Sequence, residues 1–331
     1  MNLETEYLGL KLASPLMAGA SPLADNLDSV RRLEDAGASA IVMRSLFEEQ
    51  LESELADVVA SVESHENSFA EAITYMPRAA DFAFGPDQYL EHLRKIKAAV
   101  KLPVIGSLNG ITAAGWLRYG RLLEQAGADA LELNVYYLAT DPTEESAAVE
   151  RRTVDIVRAV KAAVKIPVAV KLSPFFSALP HFARELERAG ANALILFNRF
   201  YQPDIDAVKL EAAPTLHLSD PSELLLRLRW LAIVKPGVSI PLAVSGGVHS
   251  GLDAVKSVMA GASVVQVVSA LLMKGPEYLR RLRDEMELWM QDNEYTSLRQ
   301  MLGNMSLAKC PDPSAFSRAN YMRILQSWRA A

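Results

Sequence analysis

Glu124-Gln125-Ala126-Gly127-Ala128 joins an amphipathic stretch to the apolar run 130–133, and the same kind of junction occurs at three other places in the chain. The other copies are Glu34-Asp35-Ala36-Gly37-Ala38, Glu187-Arg188-Ala189-Gly190-Ala191 and Met259-Ala260-Gly261-Ala262. A glycine directly after a helix adopts the left-handed conformation at little cost and closes the helix. Each copy therefore predicts a helix that ends and a buried strand that follows it.

Four further apolar runs alternate with these junctions, and each begins with a proline. They start at Pro15, Pro103, Pro167 and Pro241. Proline is tolerated at the first residue of a strand, and runs that are apolar at every position are typical of parallel strands buried on both faces. Eight strands separated by helices predict an α/β fold, a single (β/α)8 TIM barrel over residues 1–331. A doubly wound open sheet is the alternative.

Four segments extend beyond this minimal barrel. Residues 3–12 predict a short hairpin that covers the barrel floor. Residues 47–88 and 198–220 follow the second and sixth strands, so we expect both insertions to lie over the catalytic face. Residues from about 290 to 331 predict a helical tail that packs outside the barrel or at a subunit interface.

Composition excludes several classes of protein. Half of the 331 residues are hydrophobic, so a large core can form, and the net charge of −6 argues against a nucleic-acid-binding protein. The acidic N-terminus lacks a secretory apolar region, and no apolar run approaches the length of about 18 residues that a membrane span needs. The single Cys310 cannot support an intrachain disulfide or an iron–sulfur cluster. We expect a cytoplasmic protein without a membrane segment.

Polar residues at the predicted C-terminal ends of the strands are the main site candidates, because TIM-barrel active sites lie on that face. Lys171 directly follows a buried strand, so its ammonium needs an anion or a ligand beside it. Ser245-Gly246-Gly247 with Ser269 predicts a phosphate site, since glycines let backbone N–H groups approach an anion. The five histidines show no ligand spacing, so no metal site is predicted.

Five motifs, in order along nearly the whole chain, resemble those of the dihydroorotate dehydrogenase family of FMN-dependent TIM barrels. They are Ser14-Pro15-Leu16-Met17-Ala18-Gly19-Ala20-Ser21, Glu132-Leu133-Asn134, Val170-Lys171-Leu172-Ser173-Pro174-Phe175-Phe176, Ser245-Gly246-Gly247-Val248 and Val265-Gln266-Val267-Val268-Ser269-Ala270-Leu271. The resemblance implies hydride exchange between a substrate carbon and flavin N5, and a place in pyrimidine biosynthesis. It also implies that Lys171 stabilises the negative charge of reduced flavin near N1.

The resemblance assigns further residues to the cofactor FMN and to a planar acid stacked on it. Asn134 and Asn198, joined by Asn109, would hydrogen-bond this small-molecule substrate. The implied cofactor-binding residues are Gly19, Ala20, Ser21, Arg44, Ser45, Asn109, Asn134, Lys171, Asn198, Ser219, Ser245, Gly246, Gly247, Ser269 and Ala270.

Four positions depart from the family pattern. Tyr137 stands where the family has a Cys or Ser base, Arg44 replaces a lysine, Ala139 an asparagine, and Arg199 a Ser or Thr. Tyrosine is a poor base at neutral pH but an adequate proton donor, and Arg44 or Lys171 beside it would lower its pKa. We therefore hypothesise that Tyr137 acts with Lys171 and Asn134 in catalysis. Arg44 and Arg199 suit a substrate carboxylate.

Several functions remain open at this point. The substrate is dihydroorotate or another small unsaturated acid that Tyr137 protonates. A 2-hydroxy acid oxidase would need a histidine base, for which His249 is the nearest candidate. A non-catalytic flavin-binding subunit that has lost its base is a third possibility. The electron acceptor is a fumarate-like compound or a partner redox subunit, and the resemblance implies a homodimer.

Overall fold

A computed structural model describes residues 1–48, 86–110, 112–135, 137–199, 202–213 and 216–327. Most of the predicted insertion 47–88 lies outside these residues. The elements are β1 (Thr5–Tyr7), β2 (Leu10–Leu12), β3 (Leu16–Ala18), α1 (Leu27–Asp35), β4 (Ile41–Val42), β5 (Leu46–Phe47), α2 (Pro86–Ala99), β6 (Val104–Asn109), α3 (Ala113–Gln125), β7 (Ala130–Asn134), α4 (Ser146–Ala163), β8 (Val168–Leu172), α5 (Leu179–Arg188), β9 (Ala193–Leu196), β10 (Asp204–Asp206), β11 (Glu211–Ala213), α6 (Leu224–Val234), β12 (Leu242–Ser245), α7 (Gly251–Ala260), β13 (Ala262–Val267), α8 (Ser269–Lys274), α9 (Tyr278–Asp292), α10 (Leu298–Met301) and α11 (Arg318–Ser327).

Eight parallel strands close into a barrel. Their order around it is β3, β4, β6, β7, β8, β9, β12 and β13, and β13 pairs again with β3. The short strand β5 extends the pairing with β6 toward the C-terminal rim. Helices stand between successive strands, so the predicted (β/α)8 barrel is confirmed and the open-sheet alternative is wrong.

The two sequence signals that alternate along the chain have distinct roles in the barrel wall. All four junction glycines have positive φ, from 89° at Gly37 to 130° at Gly261. Each leading proline has no N–H, but its carbonyl accepts a hydrogen bond from a strand that follows a junction. These bonds run from Ile41 to Pro103 (3.0 Å), Leu131 to Pro167 (2.9 Å), Leu194 to Pro241 (3.2 Å) and Val265 to Pro15 (2.7 Å).

Three junctions begin with a glutamate that ties its helix to the segment before the next proline-led strand. In each case Oε1 accepts hydrogen bonds from backbone N–H groups in that segment. The bonds are Lys101 to Glu34 (2.7 Å), Lys165 and Ile166 to Glu124 (2.7 and 3.1 Å), and Ser239 and Ile240 to Glu187 (2.8 and 3.1 Å).

The β1–β2 hairpin fills the lower half of the barrel interior. Five alanines of the barrel wall leave space there, and Tyr7, Leu8 and Leu12 pack among them together with larger apolar side chains such as Ile105. The Thr5 hydroxyl donates to the Ser263 carbonyl at 3.0 Å and anchors the hairpin to β13. The prediction that residues 3–12 form a hairpin across the floor is confirmed. The five alanines are Ala40, Ala130, Ala169, Ala193 and Ala243.

The later segments add an arm and a tail. Within residues 198–220, β10 and β11 form an exposed antiparallel hairpin. In the tail, Leu298 and Met301 of α10 are buried against the barrel, whereas α11 buries no residue. No helix in the described part of the chain is long and apolar enough to cross a membrane.

Candidate active site

A polar layer lies in the barrel interior above the hairpin. Lys171 Nζ on β8 lies 3.1 Å from Glu132 Oε1 on the neighbouring strand β7. Gln266 on β13 reaches across the barrel, donating from Nε2 to Glu132 Oε2 at 2.6 Å and accepting from Lys171 Nζ at 3.3 Å. All three side chains are buried. The anion that the sequence required beside Lys171 is thus supplied within the chain by Glu132.

Asn134, two residues after Glu132 at the C-terminal end of β7, pairs in register with Lys171 on β8. Its Nδ2 donates to Ser45 Oγ at 2.6 Å, with a longer contact to Ser107 Oγ at 3.4 Å, and the two hydroxyls lie 2.8 Å apart. These bonds fix the orientation of the amide. Asn134 Oδ1 is buried and has no hydrogen-bond partner among the described residues.

Both arginines predicted to bind a carboxylate are paired with acidic side chains of the rim. Arg44 Nη1 lies 3.1 Å from Asp25 Oδ2, and Arg199 Nη2 lies 3.3 Å from Glu223 Oε1. Burial raises the pKa of Asp25, although Arg44 and then His92 act in the opposite direction. A substrate carboxylate at either arginine would therefore share the guanidinium with a carboxylate of the protein.

The predicted phosphate loop is built on a chain of hydroxyls. Ser219 Oγ lies 2.7 Å from Ser269 Oγ and accepts from the N–H of Gly247 at 3.2 Å. Gly246 and Gly247 have φ of 93° and 82°. Their conformation is one that side chains with a Cβ rarely adopt, so glycine is required at both positions.

Arg227 lies behind this loop, and sequence reasoning did not identify it. Its Nε donates to the Ser245 carbonyl and its Nη1 to the Glu223 carbonyl. A Cβ on Gly246 would lie 2.7 Å from its Nη2. Burial lowers the pKa of Arg227 from its ordinary value, Glu223 opposes this, and Arg199 adds to it. A buried cation thus lies directly behind the Gly-Gly turn.

Tyr137 lies on the segment after β7, and the structure joins it to a separate group. Its hydroxyl donates to Glu144 Oε2 at 2.7 Å, and Arg152 lies over its ring, 4.4 Å from the centroid. Arg152 also pairs with Glu144. The charged contacts of Tyr137 are therefore Glu144 and Arg152, where the sequence suggested Arg44 or Lys171. Tyr137 is 43% exposed.

The remaining predicted residues lie on the same rim. Gly19 packs so closely that a Cβ would lie 2.6 Å from Val268 Cγ2. Ser21 and Ala270 are buried, whereas Ala20, Asn109 and Asn198 are half-buried. The backbone N–H of Asn198 donates to Leu172 O at 2.7 Å.

Neither a metal site nor a histidine base stands out. The His249 ring bonds the Ser219 carbonyl at 2.6 Å. Among the described residues, no three His, Cys, Asp or Glu side chains are placed to hold a metal ion.

Comparisons with known proteins agree with this geometry. The sequence profile of the dihydroorotate dehydrogenase family matches residues 2–290. The catalytic subunit of dihydroorotate dehydrogenase B (NAD(+)) from Thermoplasma acidophilum is 29% identical over 309 residues, covering 91% of this chain and 98% of the relative. The same subunit from Citrifermentans bemidjiense is 31% identical over 239 residues, or 67% and 74% of the two chains.

The name of a third relative gives fumarate in place of NAD(+). Dihydroorotate dehydrogenase A (fumarate) from Lacticaseibacillus paracasei is 34% identical over 182 residues, which cover 51% of this chain and 60% of the relative. The profile match covers most of the chain, including every strand of the barrel. The chain therefore belongs to the dihydroorotate dehydrogenase family of flavin-dependent oxidoreductases.

Proposed function

We propose that the chain is an FMN-dependent dehydrogenase that acts on a CH–CH bond of dihydroorotate or a closely related small acid. The observation that carries the proposal is the amide of Asn134. Its Nδ2 is held by Ser45, while its buried Oδ1 has no partner in the part of the chain that the structure describes. An unsatisfied buried acceptor costs about 1–3 kcal/mol, so it indicates a donor supplied by a ligand.

The donor set of the rim fits FMN. Lys171 has three N–H groups, of which two point to Glu132 and Gln266, so one is available to the edge of a flavin ring. The Ser245-Gly246-Gly247 turn, with the hydroxyls of Ser219 and Ser269, supplies polar groups for a phosphate. FMN, when bound, supplies the carrier for two electrons. The role of this chain is to bind it, orient it and balance its charge.

The acid would lie against Asn134, Asn109 and Asn198, with Arg44 or Arg199 at its carboxylate. Because each arginine already has an acidic partner, its electrostatic attraction for the substrate carboxylate is weaker than that of an unpaired arginine. This arrangement favours a small monoacid over a substrate with several negative charges.

Tyr137 is the proposed acid–base group, since its hydroxyl is the titratable group at the position of the family base. Arg152 lies over its ring, and Glu144 accepts from its hydroxyl, so two charged groups contact the proposed proton donor. A tyrosine acts more readily as a donor than as a base at neutral pH. This favours a second candidate function, the reduction of another small unsaturated acid. A non-catalytic flavin-binding subunit is the third.

Reoxidation would use a partner redox subunit, in a complex built on a homodimer of this chain. Two relatives are named as catalytic subunits of an NAD(+) enzyme, and one of them is covered nearly end to end. The relative whose name gives fumarate is matched over a shorter segment. Comparing fumarate with NAD(+) as oxidant of the reduced, isolated chain tests this choice. Rapid turnover with fumarate alone would contradict the partner subunit, and light scattering gives the oligomeric state.

The decisive experiment adds dihydroorotate to the purified yellow protein without oxygen. Bleaching of the flavin absorbance near 450 nm supports the dehydrogenase. A flavin that dithionite reduces but dihydroorotate does not contradicts the dehydrogenase. In that case, a panel of unsaturated acids is added to the dithionite-reduced protein, and re-oxidation of the flavin by one of them identifies a reductase. A protein that binds no FMN overturns the proposal altogether.

A further inference from the structure

Glu132 connects two opposite walls of the barrel. Both of its oxygens are used: Oε1 contacts Lys171 Nζ at 3.1 Å, and Oε2 accepts from Gln266 Nε2 at 2.6 Å. β7 and β13 are separated by three strands on each side of the barrel, so the Gln266 bond crosses the interior. Glu132 is 1% exposed. Its carboxylate is therefore fully committed to two side chains.

The pairing fixes the position of the Lys171 ammonium and places a carboxylate beside it. Gln266 can turn its oxygen to Lys171 only because its amino group is bound by Glu132. The ammonium is thus held between two acceptors on different strands. Since the pair is buried, solvent screens its charges little. A flavin ring beside Lys171 would experience a dipole and not an isolated positive charge.

A lone buried ammonium would stabilise the anionic, reduced flavin more strongly than the pair does. A carboxylate beneath it opposes that stabilisation. We propose that Glu132 is a positioning residue that lowers the reduction potential of the bound flavin by neutralising Lys171 and fixing Gln266. This inference rests on the proposed function, because it requires FMN next to Lys171.

Variants that remove the charge of Glu132 or of Lys171 test this proposal. The measured quantity is the reduction potential of the bound FMN, obtained from the distribution of electrons between FMN and a reference dye during slow anaerobic reduction. Glu132→Gln leaves the charge of Lys171 uncompensated. We expect the equilibrium constant for reduction of the bound FMN to increase at least tenfold, which corresponds to a rise in reduction potential of about 30 mV for a two-electron couple. Lys171→Met leaves Glu132 uncompensated and should shift the equilibrium in the opposite direction. Tyr7→Phe, which changes no charge below the pair, should leave it unchanged.

The double variant protects the test against misfolding of Glu132→Gln, because it leaves no unpaired charge in the barrel. Glu132→Gln/Lys171→Met should be reduced at least tenfold more favourably than Lys171→Met alone, which isolates the carboxylate. Equal potentials for these two proteins, or shifts of the same sign for the two single variants, would overturn the inference. Failure of the wild type to bind FMN is a separate result, which contradicts the proposed function.

Discussion

The hydroxyl of Tyr137, the proposed acid–base group, donates to Glu144 Oε2 at 2.7 Å and is thus bound to a carboxylate. This hydrogen bond, more than the contacts with Arg152, lowers the pKa of Glu144. An ionised Glu144 keeps the hydroxyl proton directed toward itself. Proton donation to a substrate would therefore require the hydroxyl to turn away from Glu144, leaving a phenolate beside Arg152.

We expect Tyr137→Phe to slow flavin-dependent turnover of the acid about a hundredfold, at the lower end of general acid–base effects. Single-turnover absorbance changes after mixing reduced protein with the unsaturated acid measure this step directly. Glu144→Gln keeps a hydrogen-bond acceptor for the hydroxyl and should have a smaller effect. An unchanged rate in Tyr137→Phe would mean that another group or water handles the proton.

Gly246→Ala should weaken FMN binding at least tenfold. The new Cβ would lie 2.7 Å from the Nη2 of buried Arg227, in a backbone conformation with φ of +93°. Gly127→Ala is the matched control, because Gly127 has φ of +99° and, its chain neighbours aside, no atom of the described residues lies within 4 Å of the new Cβ. It should cost about 1 kcal/mol of unfolding free energy and leave FMN binding intact. Equal FMN dissociation constants for the two variants would exclude a role for the turn.

Removing a junction glutamate should destabilise the barrel by about 1 kcal/mol, because charge-assisted bonds to backbone N–H groups are lost. Urea unfolding of Glu124→Ala tests this, and Glu124→Gln, whose amide oxygen still accepts, should lose less. Glu34, Glu124 and Glu187 lie on different helices. Their losses should therefore add, and a triple variant as stable as the single ones would contradict the role assigned to them.

Tyr7→Phe should be neutral or stabilising. The Tyr7 hydroxyl is fully buried and finds no partner within the described ranges, and burial, followed by Glu132, raises its pKa well above the usual value. Removing an unsatisfied polar group recovers its desolvation penalty. Tyr7→Ala, which also removes the ring, should cost about 3–5 kcal/mol. A loss above about 1 kcal/mol in Tyr7→Phe would reveal a bound partner of the hydroxyl.

The Arg32–Glu277 pair should contribute to the acid sensitivity of the fold. Two contacts of 2.6 and 2.8 Å join the side chains, and the hydrogen bonds from Arg32 are the main reason that the pKa of Glu277 falls to about 2. Because the folded pKa is depressed, the stabilisation is present above the ordinary value of 4.5 and is lost as the pH falls toward 2. Urea midpoints at pH 7 and pH 2.5 should converge for wild type and Glu277→Gln. A constant difference would contradict this.

The barrel was predictable because its signals are local. A glycine after a helix and a proline before a strand act through their own backbone geometry, so Gly37 and Pro103 announce their elements within a few residues. The hairpin at residues 3–12 was predictable for the same reason. The space that the hairpin fills was not predictable, because the alanines that make room for Tyr7 lie on β7, β8, β9 and β12 and directly before β4.

The candidate site was predictable as a set of strand ends but not as a set of contacts. Lys171 was identified from its position, whereas its partner Gln266 is 95 residues away and reaches it across the barrel. The acidic partners of Arg44 and Arg199 depend on how the rim loops fold. Arg227 gave no local signal, because its role depends on the close approach of Gly246.

The hairpin also determines the order in which reactants meet. Tyr7, Leu8 and Leu12 seal the barrel from below, so a small molecule approaching Lys171 must enter from the opposite end. If the acceptor is a small molecule and not the partner redox subunit, it would have to share that entrance with the acid in order to reach the proposed flavin. A plugged floor thus favours ping-pong kinetics, in which the first product leaves before the second reactant binds.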